Sequence, residues 1–341
     1  MKQKTVALGL QGGGSHGAFT WGVLDRLLED GRLRIDAISG ASAGTMNAVV
    51  LAHGMTHDGH DGARAALDDF WNAIATKPAF SLDLGQPLTT ENIGVHSDPA
   101  PVVKAALTMA RFFSPQQLNP FDLNPLRDLL QRQVDFERLR TACPIDLYIA
   151  STHVASGRVR IFRTGEISLD VMLASACLPA IHRAIEIEGE AYWDGGFTAN
   201  PPVLPLLYRD PARDILLVLL QGAPATGTPS TVDEIGARVA DIGFSAGLSA
   251  ELHALALAMA EARRTWFGFG RIERRLRKLN MHLLDAPELM ARLAVPSKLN
   301  TDAAFLNGLK RQGREHAEQW LSRHFESVGV QSTFDLSPYR G

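Results

Sequence analysis

Cysteine is scarce in this sequence, with two residues, Cys143 and Cys177, among 341. Two cysteines cannot form a disulfide framework or a four-cysteine zinc site, and their scarcity fits a reducing compartment. The chain also lacks an excess of either charge sign, since 34 Lys and Arg residues face 37 Asp and Glu residues, for a net charge of −3. It therefore has no global basic surface of the kind that nucleic-acid-binding proteins carry.

Long hydrophobic runs are missing as well. The basic start of the chain resembles a signal sequence, but the apolar run Thr5–Leu10 stops at Gln11, short of the about 7–15 apolar residues of a secretory signal. No stretch is expected to supply the roughly 20 apolar residues of a membrane-spanning helix. Hydrophobic residues make up 45% of the chain and charged residues 21%. The sequence thus predicts a globular cytoplasmic protein, peripheral to a membrane at most.

Strand and helix signals alternate at the start of the chain. Apolar runs bounded by glycines predict strands, and apolar residues at helical spacing predict helices. The predicted order is a strand at Thr5–Leu10, a glycine loop at Gln11–Gly17, a helix at Ala18–Glu29, a strand at Ile35–Ser39 and a helix at Ala43–His53. This order is typical of an α/β fold with a mainly parallel sheet covered by helices.

The rest of the chain changes in character twice. Many of the prolines fall in the stretch 77–125, which predicts an insertion of loops and short helices, with a lid as one use. Strand signals return afterwards and end with a buried strand at Ile215–Leu220. Beyond residue 222 the chain is predicted to be mostly helical. We therefore expect an α/β core at 1–222 and a mostly helical C-terminal extension at 223–341, packed on that core.

A nucleophile motif lies between the second predicted strand and its helix. Gly40, Ser42 and Gly44 match G-x-S-x-G in the strand–turn–helix context that the motif requires. A sharp turn there exposes the serine oxygen near the positive end of a helix, and glycines let neighbouring backbones pass. The alternative is a glycine-rich turn in which Ser42 caps the helix.

The glycine loop has two interpretations. Gly12, Gly14 and Gly17 fit the spacing of a dinucleotide-binding fingerprint after a strand. Such a site also needs an acidic residue at the end of the second strand, and Asp36 stands before the apolar end of that strand. Consecutive glycines that include Gly13 can instead direct backbone N–H groups at a developing oxyanion.

A second polar candidate is Asp194, flanked by Trp193 and by Gly195 and Gly196. An aspartate within hydrogen-bond reach of a serine hydroxyl can act as its general base. The alternative is a turn aspartate that bonds its own backbone, which an Asp-Gly sequence favours.

Taken together and in order, these elements resemble the patatin-like phospholipase family. The resemblance runs from about Val6 to about Asn200 and is weaker beyond. Its pieces are the glycine loop Gly12–Gly17, the helix with Gly22-Val23-Leu24, the serine turn Gly40–Gly44 with Asn47 after it, the stretch Ala174–Pro179, and Asp194-Gly195-Gly196 followed by Asn200-Pro201.

This resemblance implies a specific chemistry. A Ser–Asp dyad would replace a catalytic triad, with Ser42 as the nucleophile and Asp194 as the base. Backbone amides of the loop at Gly12, Gly13 and Gly14 would form the oxyanion hole. The reaction would be two-step acyl transfer on a lipid ester, without a metal or an organic cofactor. The implied fold is a three-layer α/β/α sandwich.

One residue departs from the family pattern. The family loop usually carries Arg or Lys where this chain has His16. A histidine titrates near neutral pH, so we expect either activity tuned by His16 across about pH 6–7 or a structural role for His16 at the start of the helix.

Other arrangements stay open at this stage. A Ser-His-Asp triad would need a histidine after the acid; the candidates are His253, His282, His316 and His324, with His182 lying before Asp194. A metal site would need a settled ligand geometry; its candidate residues, in a glycine-rich setting that favours a solvated loop, are His53, His57, Asp58, His60 and Asp61.

The segment Arg263–Lys278 holds seven basic residues against one acid, with Trp266, Phe267 and Phe269 interleaved. This pattern favours a helix end with a solvated face, and peripheral contact with anionic lipid is the alternative. The Ala- and Leu-rich stretch Leu252–Met259 before it predicts core packing or a homodimer contact.

The leading hypothesis is thus a serine acyl hydrolase that acts on phospholipids or lysophospholipids. A second hypothesis keeps the dyad and changes the substrate to a soluble ester, a thioester or a polyester. A third is a non-catalytic lipid- or protein-binding module, against which the intact Ser42 and Asp194 argue. Because fold does not determine substrate, the lipid assignment rests on the resemblance.

Overall fold

The computed structural model describes residues 3–76, 114–119, 121–208, 213–222, 227–264, 270–293 and 295–340. The predicted insertion or lid at 77–125 lies mostly outside the described residues. In the described part the strands are β1 (Lys4–Leu10), β2 (Leu33–Gly40), β3 (Asp146–His153), β4 (Val159–Arg163), β5 (Ile185–Ile187), β6 (Glu190–Asp194), β7 (Asp214–Val218) and β8 (Asn280–Leu284).

The helices cover both faces of this sheet. They are α1 (Gly17–Asp30), α2 (Ala43–Thr76), α3 (Pro115–Leu118), α4 (Pro125–Gln133), α5 (Phe136–Ala142), α6 (Leu169–Ser175), α7 (Leu204–Leu207), α8 (Val232–Arg264), α9 (Arg271–Lys278), α10 (Pro287–Arg292) and α11 (Ala303–His324). The predicted order at the start of the chain is confirmed. Helix α2 continues beyond the predicted end at His53, with a kink at Asp58 and Gly59.

The strands form one sheet in the order β5-β6-β3-β2-β1-β7-β8, with β4 paired to β3. Five neighbouring strands run parallel: β3, β2, β1, β7 and β8. The other pairs are antiparallel: β4 with β3, β6 with β3, and β5 with β6. From β1 the chain continues outward through β2 and β3 on one side, and later through β7 and β8 on the other. The strand order therefore reverses at β1, where a crevice opens at the carboxyl ends of the strands.

Alternate residues of each strand face opposite helical layers. In β7, Leu216 and Val218 pack with α1, α2 and α11, whereas Ile215 and Leu217 pack with α7 and α8. Since successive side chains of a strand point to opposite faces, the two buried faces explain the unbroken apolar run. The result is the three-layer α/β/α sandwich that the resemblance implies.

The C-terminal part of the chain belongs to the same sheet and core. Strand β8, in a region predicted to be helical, pairs with β7. Its polar residues Asn280 and His282 are buried because both bond the Asp214 carboxylate. Helix α11 packs on α1 through side chains such as Phe305 and Trp320. The C-terminal part thus adds a strand to the sheet and a helix to its core.

Helix α8 corrects the expectation about membrane-spanning length. Its part Glu234–Arg264 is long and apolar enough to cross a membrane by length and composition alone. The second half packs on the sheet through residues such as Leu248, Leu252 and Leu255. The apolar composition of this half thus serves the protein core.

We predict that Gly313→Ala destabilises the fold. A Cβ on Gly313 of α11 would collide with the Phe19 carbonyl oxygen of α1, and a Cβ on Gly22 of α1 would collide with the Lys310 carbonyl oxygen. Because backbone atoms cannot move aside without separating the helices, the free energy of unfolding should fall by about 2 kcal/mol, as measured by denaturant titration.

The matched control is Gly243→Ala in α8, where a Cβ would meet nothing within 4 Å. This change should leave stability unchanged or raise it by up to about 1 kcal/mol, because alanine favours helix. Equal effects of the two substitutions would contradict the proposed close contact between α1 and α11.

Candidate active site

Ser42 lies in a strained turn between β2 and α2. Its backbone φ is 54°, in the left-handed region that L-residues other than glycine rarely adopt. The Ser42 N–H donates to the Ser175 carbonyl oxygen over 2.9 Å. The turn ends at Ala43, the first residue of α2, so the half-buried Ser42 side chain sits beside the positive end of that helix.

Close backbone contacts explain the glycines around this turn. A Cβ on Gly40 would lie 2.8 Å from the backbone of Gly44, and a Cβ on Gly44 would collide with the Leu10 carbonyl oxygen. A Cβ on Gly12 would lie 2.6 Å from both the Ala41 oxygen and the Ser42 Cβ. The glycine loop and the serine turn are therefore in direct backbone contact, which no larger residue would allow.

Ser175 supports the turn through its side chain. Its buried hydroxyl donates to the Ala150 carbonyl oxygen over 2.7 Å and lies 2.7 Å from the Thr45 hydroxyl. The Ser42 N–H also donates to the Ser175 hydroxyl oxygen, Oγ, over 3.2 Å. Ser175 belongs to the stretch Ala174–Pro179 of the family resemblance, and its supporting role is evident only from the tertiary contacts.

The three loop glycines differ in what their amides do. The Gly12 N–H donates to Asn200 Oδ1 over 2.7 Å, so it is not available to an oxyanion. The amides of Gly13 and Gly14 donate to no other residue in the described parts of the chain. Gly14 has a φ of 58°, which glycine adopts readily. Two adjacent amides, and not three, therefore remain free at this loop.

Two buried side chains hold the glycine loop in place, and neither was assigned a role from the sequence. Asn200 bonds the Gly12 N–H, and its own carbonyl oxygen lies 3.4 Å from Gln11 Nε2. The Gln11 Oε1 atom accepts from the Leu220 N–H over 2.6 Å. These contacts join residues far apart in the sequence, so no local pattern could have indicated them.

Asp194 is the last residue of β6, and the turn expected around it begins at the next residue, Gly195. Its backbone is held by the Cys177 carbonyl oxygen, to which the Asp194 N–H donates over 2.8 Å, and by the Thr152 hydroxyl, which donates to the Asp194 carbonyl over 2.8 Å. The carboxylate Oδ1 accepts from the Gly196 N–H over 2.7 Å. The fully buried Oδ2 has no hydrogen-bond partner among the described residues.

Burial raises the pKa of Asp194 to about 7, and the Gly196 amide and the Ser42 hydroxyl oppose this rise by stabilising the carboxylate. A buried charge without a nearby cation favours the protonated form. The fold thus brings Ser42 and Asp194 together, and it leaves the carboxyl group able to change protonation near neutral pH.

All five supporting glycines predicted from the motifs lie in tight contacts. Besides Gly40 and Gly44, a Cβ on Gly17 would lie 2.8 Å from the Ala43 Cβ, and a Cβ on Gly196 would lie 2.6 Å from the Phe244 ring. Gly195 is equally confined, because its Cβ would meet the Ala150 carbonyl oxygen. None of these positions has room for a side chain.

His16 does not titrate near neutral pH, which corrects the expectation of tuning across pH 6–7. The ring is buried and its Nε2 lies 2.8 Å from the Ser297 hydroxyl. Burial, with a smaller contribution from the positive charge of Lys298, lowers the pKa of His16 to about 3. His16 is therefore neutral at physiological pH and has the structural role that was the alternative.

The remaining candidates lie elsewhere. Asp36 is buried in the middle of β2 and not at its carboxyl end, where a dinucleotide site needs its acid. Among the described residues, no candidate histidine hydrogen-bonds to Ser42 or Asp194. Their partners are Tyr339 for His253, Asp214 and Thr333 for His282, and Gln312 for His316.

The proposed metal ligands are also occupied by structural contacts. His53 Nε2 accepts from the Asp135 N–H over 3.1 Å, and His60 Nδ1 lies 3.0 Å from the Leu28 carbonyl oxygen. No group of three potential ligands gathers in the described parts of the chain. Of the basic segment Arg263–Lys278, the aromatic residues lie outside the described residues.

A parallel α/β sandwich with a serine turn of this geometry is typical of enzymes that hydrolyse carboxylic esters. This chain belongs to the patatin-like phospholipase family, because the sequence profile of that family matches residues 8–207, more than half of the 341 residues. It is thus a lipid ester hydrolase by family. No curated protein sequence is a significant match to the chain.

Two solved structures of bacterial proteins are among those to which this chain is similar. VipD from Legionella pneumophila is similar over 95% of this chain and 67% of that chain, at 16% identity and a TM-score of 0.42. The ExoU–SpcU complex from the type III secretion system of Pseudomonas aeruginosa is similar over 96% of this chain and 78% of that chain, at 16% identity and a TM-score of 0.32.

We predict that His16→Gln changes the acid sensitivity of the fold. Because folded His16 stays neutral while the unfolded histidine takes up a proton below about pH 6.5, wild-type stability falls as the pH is lowered from there toward pH 3, by at most about 1.4 kcal/mol per pH unit. Glutamine removes this dependence. Denaturant titrations from pH 7 to pH 4.5 should show the stability difference between the two proteins shrinking as the pH falls. Parallel curves would contradict the burial of a neutral His16.

Proposed function

We propose that this protein hydrolyses acyl esters of phospholipids or lysophospholipids through a Ser42–Asp194 dyad. The family supplies the reaction class, and one observation carries the assignment of residues. A buried aspartate with an unpartnered carboxylate oxygen lies at the hydroxyl of a serine in a strained turn. Leaving such an oxygen unpaired costs stability, which a proton-accepting role at the reacting serine accounts for.

In the acylation step, Asp194 accepts the proton of the Ser42 hydroxyl while Ser42 Oγ attacks the ester carbonyl carbon. The carbonyl oxygen becomes an oxyanion in a tetrahedral intermediate. The bond from carbon to the leaving alcohol then breaks, and Asp194 returns the proton to that alcohol. The product is an acyl ester on Ser42, with all atoms and charges balanced.

In the deacylation step, water takes the place of the alcohol. Asp194 accepts a proton from water while the water oxygen attacks the acyl carbon. Collapse of the second tetrahedral intermediate releases the fatty acid and returns the proton to Ser42. One carboxylate therefore acts as base and acid in turn, which requires a pKa within reach of the working pH.

The free amides of Gly13 and Gly14 are proposed as the oxyanion hole. Preorganised N–H donors stabilise a charge that develops in the transition state without reorganising. The Gly12 amide is left out because Asn200 occupies it. The N-terminus of α2 adds a positive potential beside Ser42.

The first prediction concerns the nucleophile. Ser42→Ala should lower fatty-acid release from diacyl and lysophospholipids by at least about 10³-fold, measured against a panel that includes short-chain and thioester substrates. The exposed Ser249→Ala on α8 is the matched control and should retain full activity. Equal release by all three proteins would refute the dyad, and a preference for water-soluble esters would refute the lipid substrate class.

The second prediction concerns the base. Since Asp194 must be ionised to accept a proton and its pKa is raised to about 7, kcat/KM should rise with pH through about 7 and level off above. Asp194→Asn keeps an acceptor for the Gly196 N–H and should abolish activity while keeping the fold at pH 8, because it removes a buried negative charge. A pH-independent kcat/KM between pH 5 and 8 would contradict this role.

A further inference from the structure

Large apolar side chains are exposed on two elements near the carboxyl edge of the sheet. Other exposed large apolar residues, such as Tyr208 and Val330, stand on other parts of the described chain, and single exposed apolar residues are ordinary for a soluble protein. Near this edge six large apolar residues, between 46% and 84% exposed, stand on the two elements. We call this set the apolar rim; it consists of Phe121, Leu123, Val232, Ile235, Val239 and Ile242.

One side of the apolar rim is anchored to the segment that holds the active site. Asn119 closes the loop of Phe121 and Leu123 by bonding the Leu123 N–H and carbonyl over 2.9 Å each. Arg183 donates to the Asn119 carbonyl over 3.1 Å. Arg183 follows closely after Cys177, which bonds the Asp194 backbone. This loop is therefore connected to the candidate site through one short stretch of chain.

The other side of the apolar rim is the start of α8. Val232, Ile235, Val239 and Ile242 follow helical spacing, so they form one stripe about 15 Å long. Just beyond the stripe, the Phe244 ring lies against Gly196 at the base of Asp194. Both elements thus reach the surroundings of Ser42 and Asp194.

The charges beside the apolar rim are neutralised locally. Asp241 pairs with Lys298 at 3.6 Å, and Asp122 lies 4.0 Å from Arg183. The Glu234 carboxylate accepts from the Ser230 N–H at the start of α8. Arg238 on the same stretch of α8 is matched in number by Glu234, so the described residues beside the apolar rim carry no net positive charge to attract an anionic surface. Binding at this edge then depends on burial of apolar groups.

The basic segment identified from the sequence lies at the opposite edge. Helix α9, Arg271–Lys278, leads directly into the amino end of β8, whereas Ser42 follows the carboxyl end of β2. Two of its side chains bond the protein itself: Arg275 donates to the Leu207 carbonyl and Arg277 to the Ala262 carbonyl. A lipid surface on α9 would therefore leave the candidate site facing away from it.

We propose that the apolar rim docks the protein on a zwitterionic phospholipid surface, with the crevice of Ser42 facing the lipid. This inference rests on the proposed function, because a substrate held in that surface must enter from this edge. A protein partner seated on both elements would cover the crevice, whereas a lipid surface supplies the ester to it.

The test is cosedimentation with phosphatidylcholine vesicles, using the full chain in the Ser42→Ala background so that hydrolysis cannot alter the vesicles. Two variants remove one side of the apolar rim each: Phe121→Ser with Leu123→Ser, and Val239→Ser with Ile242→Ser. Each should lower the partition coefficient by at least about 10-fold. Circular dichroism melting curves identify a double variant that fails to fold. If one double variant fails, vesicle binding by the other double variant tests the proposal.

Two controls change the opposite edge. Ile272→Ser with Val330→Ser removes exposed apolar residues there, and Arg274→Gln with Lys278→Gln removes charge from α9. Both should bind as the parent does, and binding should be little affected by 0.5 M salt, a range in which ionic attraction is screened. Loss of binding in the charge variant alone, or binding that salt abolishes, would overturn the proposal.

Two further outcomes are informative. If the variants of the apolar rim change the oligomeric state in light scattering and still bind vesicles as the parent does, the surface joins two copies of the chain and the proposal is overturned. Vesicle binding without ester hydrolysis by the wild-type protein would refute the proposed function while supporting the docking surface, so the two failures are distinguishable.

Discussion

The contact between two backbone turns at the carboxyl edge of the sheet is the constraint on which the rest of the structure depends. A Cβ on Gly12 would overlap Ala41 and Ser42, and one on Gly44 would overlap the Leu10 carbonyl. These turns can meet only because β1 and β2 are adjacent parallel strands joined by α1. Sheet order, helix placement and the strained φ of Ser42 are therefore parts of one arrangement.

The same arrangement makes ionisation of the Asp194 carboxyl group unfavourable. Its backbone is bonded on both sides, by Cys177 and Thr152, and Gly196 satisfies one carboxylate oxygen. The second oxygen has no hydrogen-bond partner among the described residues. Burial opposes ionisation of this carboxyl group, so it lowers stability as the pH rises from about 4 to about 7. Proteins commonly retain such a cost where a reaction needs a group with a shifted pKa. The rigid backbone keeps this carboxyl group at Ser42 despite that cost.

Local patterns predicted the parts of this site that are local in sequence. The glycine loop, the serine turn and the first strands and helices follow from periodicity and glycine spacing over short windows. Contacts between distant segments could not be predicted this way: His16 bonds Ser297, 281 residues away, and Asn200 bonds Gly12, 188 residues away. Strand β8 was missed for the same reason, because its buried His282 is explained only by Asp214 on another strand.

His16 shows why one position is an incomplete guide to electrostatics. Substituting a neutral histidine for the Arg or Lys of the family pattern would seem to remove a cation from the glycine loop. Yet Lys298 is close enough to lower the pKa of His16, and its backbone packs on Gly14 so tightly that a Cβ there would collide with it. Lys298 lies beyond the stretch 8–207 that defines the family. A lysine beside the glycine loop thus comes from the C-terminal part of the chain, where it pairs with Asp241 at 3.6 Å.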